Sequence, residues 1–296
     1  DIGQLPPIRK HKVGDGAQPS PVFLSENKSK LLNRVRQKEG SGILPYSDFY
    51  WENSVVNEGS EDDPVPLTSR SSGGDMVFSK DIEDILTKNK ELFIESMKSN
   101  NPNIIKTIVY RNKTKKSLNW FTRNLIFNNP NEYEVGDYLI FNDNYFKGDS
   151  VIFENSDEVT VLEVKRREFD GKYHGHILKV SNSETTRNIE VISDGSLPEW
   201  NKHVSELFNI AKGIPNGVRR NRALRTAWSA KNRFANVDYG YTLTSHKAQG
   251  STYDTVIVVE DDILDVSVIN NIVKSQSMYV AITRASNKAY IVSELN

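Results

Sequence analysis

The strongest constraint on the fold is a change of texture along the chain and a later return. Residues 104–110 form a β-rich apolar run. A basic turn comes next, and residues 115–127 then take a helical period carried by Leu118, Phe121, Leu125 and Ile126. Strand, turn and helix in that order are the repeating unit of a parallel α/β sheet. From residue 135 the texture shifts to short apolar runs at 138–141, 150–153, 158–165, 176–180 and 188–192, parted by Asn, Asp, Gly and Ser. Strand-forming runs at 241–244, 255–259 and 289–292 restore the first pattern. The predicted fold class is α/β: a parallel-sheet domain carrying an inserted small antiparallel β-barrel.

Further elements complete the outline. Residues 81–99 have helical spacing (Ile82, Ile85, Leu86, Leu92, Phe93, Met97) behind an acidic start that suits a helix amino terminus. Residues 199–234 read as helical and basic. Residues 30–38 suit a short helix or turn, and 53–74, rich in Glu, Asp, Ser, Pro and Gly, a surface loop. The expected domains are 1–40, 41–134, 135–198 (the barrel) and 199–296. The chain opens at Asp1 without Met, which suggests the carboxyl-terminal part of a longer protein.

Composition excludes several classes. With 26% charged and 37% hydrophobic residues the chain is globular in type, and no apolar run approaches a membrane span, so an intracellular protein without a membrane partner is expected. Zero cysteines rule out disulfides, thiolate zinc sites and cysteine nucleophiles, and five scattered histidines predict no metal site in this chain. A net charge of -1 supplies no global basic field. Any nucleic-acid surface must come from local clusters, of which there are two: Arg111, Lys113, Lys115 and Lys116, and a second running from Arg219 to Arg233. Either is equally a solvated helix face.

Two motifs carry chemistry. The loop Thr244-Ser-His-Lys-Ala-Gln-Gly250 gathers hydroxyl, imidazole, ammonium and amide donors in one arc, and Gly250 permits close backbone approach. A helix cap is the alternative role for Ser245. Arg284, between an apolar run and a strand, must be partly buried, and a buried charge demands a partner; phosphate and a structural carboxylate are the two candidates. Arg36 is a second possible phosphate ligand, and Gln4, ahead of Pro6 and Pro7, a possible γ-phosphate sensor.

Taken in order, the segments 1–7, 36–37, 109–119, 244–254 and 279–285 resemble the later motifs of superfamily 1 helicases, and most nearly the Dda-like and RecD-like branch that moves 5′ to 3′ on single-stranded DNA. The resemblance implies a second RecA-like motor lobe with a small Src-homology-type barrel, and ATP and Mg²⁺ as cofactors. It implies Gln4, Arg36 and Arg284 as catalytic residues and Gln249 and Gly250, with both arginines, as the nucleotide-binding set. Asn112, Lys113, Thr244, Ser245, His246 and Lys247 would contact nucleic acid. Single-stranded DNA is the implied partner, with replication or recombination proteins beside it.

One departure from the pattern is large. No Gly-x-x-x-x-Gly-Lys-Ser/Thr loop and no strand-ended Asp-Glu pair occur, so the phosphate cradle and Mg²⁺ ligands are expected in a preceding lobe, and this chain alone is expected to be inactive. Two alternatives stand beside the motor. One is a non-catalytic single-strand-binding module using Tyr138, Phe141 and Tyr173 as stacking platforms. The other is a structural subunit that has lost catalysis.

Overall fold

The computed structural model describes residues 5, 37–38, 40–56, 74–148, 150–182, 184–267 and 269–294. They fall into two compact units, the first built from 1–96, 103–122 and 241–296, the second from 97–102 and 123–240.

In the first unit the elements are α1 (Ile43–Val56), β1 (Met76–Ser79), α2 (Ile82–Lys88), α3 (Lys90–Ser99), β2 (Ile105–Val109) and α4 (Asn112–Phe127). The second unit adds β3 (Tyr138–Phe141), β4 (Tyr145–Lys147), β5 (Ser150–Phe153), β6 (Glu158–Phe169), β7 (Tyr173–Ser181), β8 (Thr186–Ile192), α5 (Leu197–Gly213), α6 (Val218–Lys231) and β9 (Val237–Tyr239). The chain then returns to the first unit with β10 (Thr242–Thr244), α7 (Ser245–Ala248), β11 (Tyr253–Val259), α8 (Glu260–Leu264), α9 (Asn271–Ile282) and β12 (Ala285–Val292). The last residues of α3 and α4 belong to the second unit.

The parallel sheet predicted from the strand-turn-helix pattern is present, in the order β1-β12-β11-β2-β10. All four pairings are parallel. Every residue of β2 is buried, which is the burial expected of a strand covered on both faces. The edge strand β10 is protected by a side chain: Asn119 accepts from the Thr242 N–H at 2.8 Å and donates to the Thr242 carbonyl at 3.2 Å. The Asp81 carboxylate receives the N–H groups of Glu83 and Asp84 and so starts α2. The single helix expected over 81–99 is broken at Asn89, whose side chain turns back on the Ile85 carbonyl at 2.8 Å. Residues 53–56, expected in a loop, close α1 instead; polar and apolar side chains are mixed round that helix, which hid its period.

The second unit holds an antiparallel sheet in the order β8-β7-β6-β3-β9 and a separate β4-β5 hairpin. The antiparallel strands expected of the inserted small barrel are present, as an open order of ladders. Among the described residues no ladder joins β9 to β8, but the Ala235 N–H reaches the Glu190 carbonyl at 2.7 Å, just ahead of β9. Leu139, Phe141, Phe153, Val161, Leu178 and Ile189 pack into one buried core. The β6-β7 hairpin turns through Asp170 and Gly171, both at positive φ, as a type I′ turn requires. The unit also exceeds the expected 135–198. It takes in α5, α6 and β9, because β9 pairs with β3 and because Trp200 and Phe234 pack on Phe169 and Tyr173.

An ion pair with both side chains fully buried anchors this unit. Arg123 donates through Nε and Nη2 to the two Asp137 oxygens at 2.8 and 2.7 Å, and Nη2 also meets the Asn131 carbonyl at 2.8 Å. Its guanidinium lies 4.0 Å from the Tyr239 ring centroid. Removing one partner strands a buried charge. Arg123→Ala is expected to destabilise the chain by about 3 to 5 kcal/mol, read as a lowered urea midpoint.

Candidate functional site

The parallel register decides where each motif emerges. Thr244 lies beside Val109, so the turn after β2 and the loop after β10 leave the same, carboxyl edge of the sheet. At the opposite edge Tyr253 lies beside Ala285, so the approach to β11 sits next to Arg284. The segment 244–252 therefore crosses the sheet, with one end by Tyr110 and the other by Arg284.

At the carboxyl edge the organising group is Asp262 in α8, only 4% exposed. One oxygen accepts the backbone N–H groups of Tyr110 and Arg111 at 2.7 and 2.8 Å, and the other accepts Arg111 Nε at 2.8 Å and the Thr114 hydroxyl. This carboxylate sets the turn that presents Asn112 and Lys113, both exposed. Nothing in the sequence singled it out. Its one signal is the acidic run Glu260-Asp-Asp262 at the end of a buried strand.

The loop itself is a short helix. Thr244 caps it by accepting the Lys247 N–H at 3.4 Å, which gives Thr244 the capping role considered for Ser245. Ser245, expected to touch nucleic acid, is instead fully buried and donates to the Val109 carbonyl at 3.3 Å. Thr244, His246 and Lys247 are partly exposed. The His246 ring lies 5.7 Å from that of Tyr110, and burial holds its pKa below the ordinary 6.5. Gly250 adopts φ +93°, and a Cβ there would meet no atom within 4 Å. The glycine is needed for its backbone conformation, not for want of room.

At the amino edge Arg284 is 4% exposed. Its guanidinium donates to the Val280 carbonyl, the Ser251 carbonyl and the Thr283 hydroxyl, each at 3.0 Å. It thus ties the end of α9 to the segment after Gly250. The Gln37 amide donates to the carbonyls on either side of it, Thr283 at 3.2 Å and Ala285 at 2.6 Å. Gln249 Nε2 reaches the carbonyl of buried Leu5 at 3.5 Å. Gln4 and Arg36 lie outside the described residues. The stacking residues of the binding-module alternative are corrected: Tyr138, Phe141 and Tyr173 are 2%, 0% and 5% exposed and serve as core.

Residues 239–292 match the UvrD-like helicase C-terminal domain. That segment contains both carboxyl-terminal motifs. The chain is 25% identical over 244 residues to an uncharacterized protein of Acanthamoeba polyphaga mimivirus, covering 66% of this chain and 49% of that protein. It therefore spans about half the length of this relative. Among solved structures, the Pif1 helicase from Candida albicans shares 12% identity at a TM-score of 0.34, over 71% of this chain and 52% of that chain. A structure of two coordinating Pif1 helicases unwinding forked double-stranded DNA shares 12% identity at a TM-score of 0.32, over 73% and 47%.

The geometry at the carboxyl edge gives two expected outcomes. Asp262→Ala is expected to lower stability by about 3 kcal/mol, since it leaves two backbone N–H groups and a guanidinium without their acceptor, and to speed amide exchange at Tyr110 and Arg111. Because the folded state holds the His246 pKa below its unfolded value, its contribution to stability is present above about pH 6.5 and lost as pH falls. His246→Gln should flatten the decline in unfolding midpoint between about pH 6.5 and 5.

Proposed function

We propose that this chain is the second motor lobe of an ATP-dependent DNA helicase that translocates on single-stranded DNA in the 5′ to 3′ direction. The observation that carries the reading is the Gln37 amide bonded to the carbonyls on both sides of Arg284, which brings segments 246 residues apart together. The polarity rests on the family resemblance alone.

The residues at the amino edge suit a polyphosphate. The Arg284 guanidinium and the Gln249 amide are donors of the kind that suits phosphate oxygens, and the space over Gly250 is open. When bound, ATP supplies the phosphoryl group whose loss drives the cycle. Its cradle and the Mg²⁺ ligands are assigned to a lobe that would precede this one. Arg284, with Arg36 beside Gln37, would balance charge on the transferring group, and Gln4 would report its departure. At the other edge Thr244, His246, Asn112 and Lys113 would hold the strand. The 244–252 crossing links the two ends, so a shift at Arg284 would move the grip at Thr244. The protein would work inside the cell, alongside replication or recombination proteins.

In the complete protein, Arg284→Ala and Arg284→Lys are expected to reduce DNA-stimulated ATP turnover about 10³-fold or more, while affinity for single-stranded DNA is kept. Comparing unfolding midpoints separates lost chemistry from lost hydrogen bonds. Turnover equal to the parent's would end the motor assignment.

A further inference from the structure

The α5-α6 hairpin of the second unit holds a surface that the motor reading leaves unused. From residue 197 to 232 the chain carries seven Lys and Arg against two acids, Glu199 and Glu206, within a protein of net charge -1. Glu199 is already paired with Lys172 at 2.8 Å. α6 itself contains no acid.

The cations are arranged as well as abundant. Arg219, Arg222, Arg225 and Trp228 are successive members of one i, i+3 row, and all four are exposed. Such a row is a ridge that climbs about 14 Å along the axis at 1.5 Å per residue and turns about 60° per step, so it winds half way round α6 from Arg219 to Trp228. Among the described residues none of the three arginines makes an ion pair or a side-chain hydrogen bond. Arg233, grouped with them in sequence, differs: it is committed to Asp170 and Glu190. Like charges three apart on a helix repel, so the ridge opposes its own fold until an anion joins it. Trp228, 50% exposed, ends the row. Its indole makes a T-shaped contact with Phe208 at 5.2 Å and has Lys231 Nζ over its ring, 4.9 Å from the centroid.

We propose that this ridge is a binding surface for a single strand of nucleic acid, with Arg219, Arg222 and Arg225 on successive phosphates and Trp228 stacked on a base. Unpaired guanidiniums fit the phosphodiester backbone. The exposed indole selects the single strand, whose bases are free to stack, over a duplex, whose bases are not. An acidic polypeptide would match the charge but leave the indole without a role. This surface needs no nucleotide and lies in the second unit, so it stands or falls apart from the motor reading.

The test is the affinity of the full chain for labelled oligo-dT without ATP, measured by fluorescence anisotropy over a range of KCl concentrations. Combining Arg219→Ala, Arg222→Ala and Arg225→Ala should weaken binding at least about tenfold and reduce the log–log salt slope by about two, as three lost phosphate contacts require. Trp228→Ala should weaken binding about 5- to 150-fold with the slope unchanged, and Trp228→Phe should keep most of the affinity. Parental affinity and slope in these variants would overturn the proposal. So would equal binding to a duplex of the same length, or displacement of oligo-dT by polyglutamate as effective as by unlabelled oligo-dT. ATP turnover judges the motor separately, and either reading can fail alone.

Discussion

Parallel pairing is the constraint on which the first unit depends. Strands that run the same way all end on one edge, so segments leaving the strands emerge at that edge and segments entering them gather at the other. The turn after β2, the cap of α7 and the Asp262 carboxylate meet at the carboxyl edge. Arg284, Gln37 and the approach to β11 meet at the amino edge. β10 and β11 are not neighbours, since β2 lies between them, and the short 244–252 segment must pass from edge to edge.

Buried polar groups hold these positions. Asp262 satisfies two backbone N–H groups, a guanidinium and a hydroxyl with one carboxylate, so the turn after β2 is set by α8 as well as by its own sequence. Glu260, two residues earlier, accepts the hydroxyls of Tyr46 and Tyr50 at 2.7 and 2.6 Å and fastens α1. Burial first, then the neighbouring Tyr46 and Glu260, push the Tyr50 hydroxyl far above its ordinary pKa, so it remains a donor. The second unit repeats the device with Arg123 and Asp137. Such groups add little net stability over apolar packing, but few other arrangements satisfy them.

Much of the fold was legible because periodicity reports burial. The β-rich run at 104–110, the helix after it and the alternating runs from 138 onward mark their own elements. α1 escaped because helix period appears only when one face is polar. The break at Asn89 escaped because it depends on one side chain competing for a carbonyl in the preceding turn. The inserted barrel is a different matter: strand spacing counts strands but does not say whether the last one pairs with the first.

The sequence by itself determined the α/β class, the interruption by an antiparallel unit, and the chemistry of the motifs at 244–250 and 284, because residue type and local period suffice for these. Only the tertiary structure decided which of those residues face inward. Thr244 rather than Ser245 caps α7, Tyr138 and Phe141 are core, and Arg219, Arg222 and Arg225 are unpaired where Arg233 is not. It also decided that Gln37 brackets Arg284, bonding to carbonyls 246 and 248 residues away. A side chain's role depends on which atoms surround it, and those come from elements far apart along the chain.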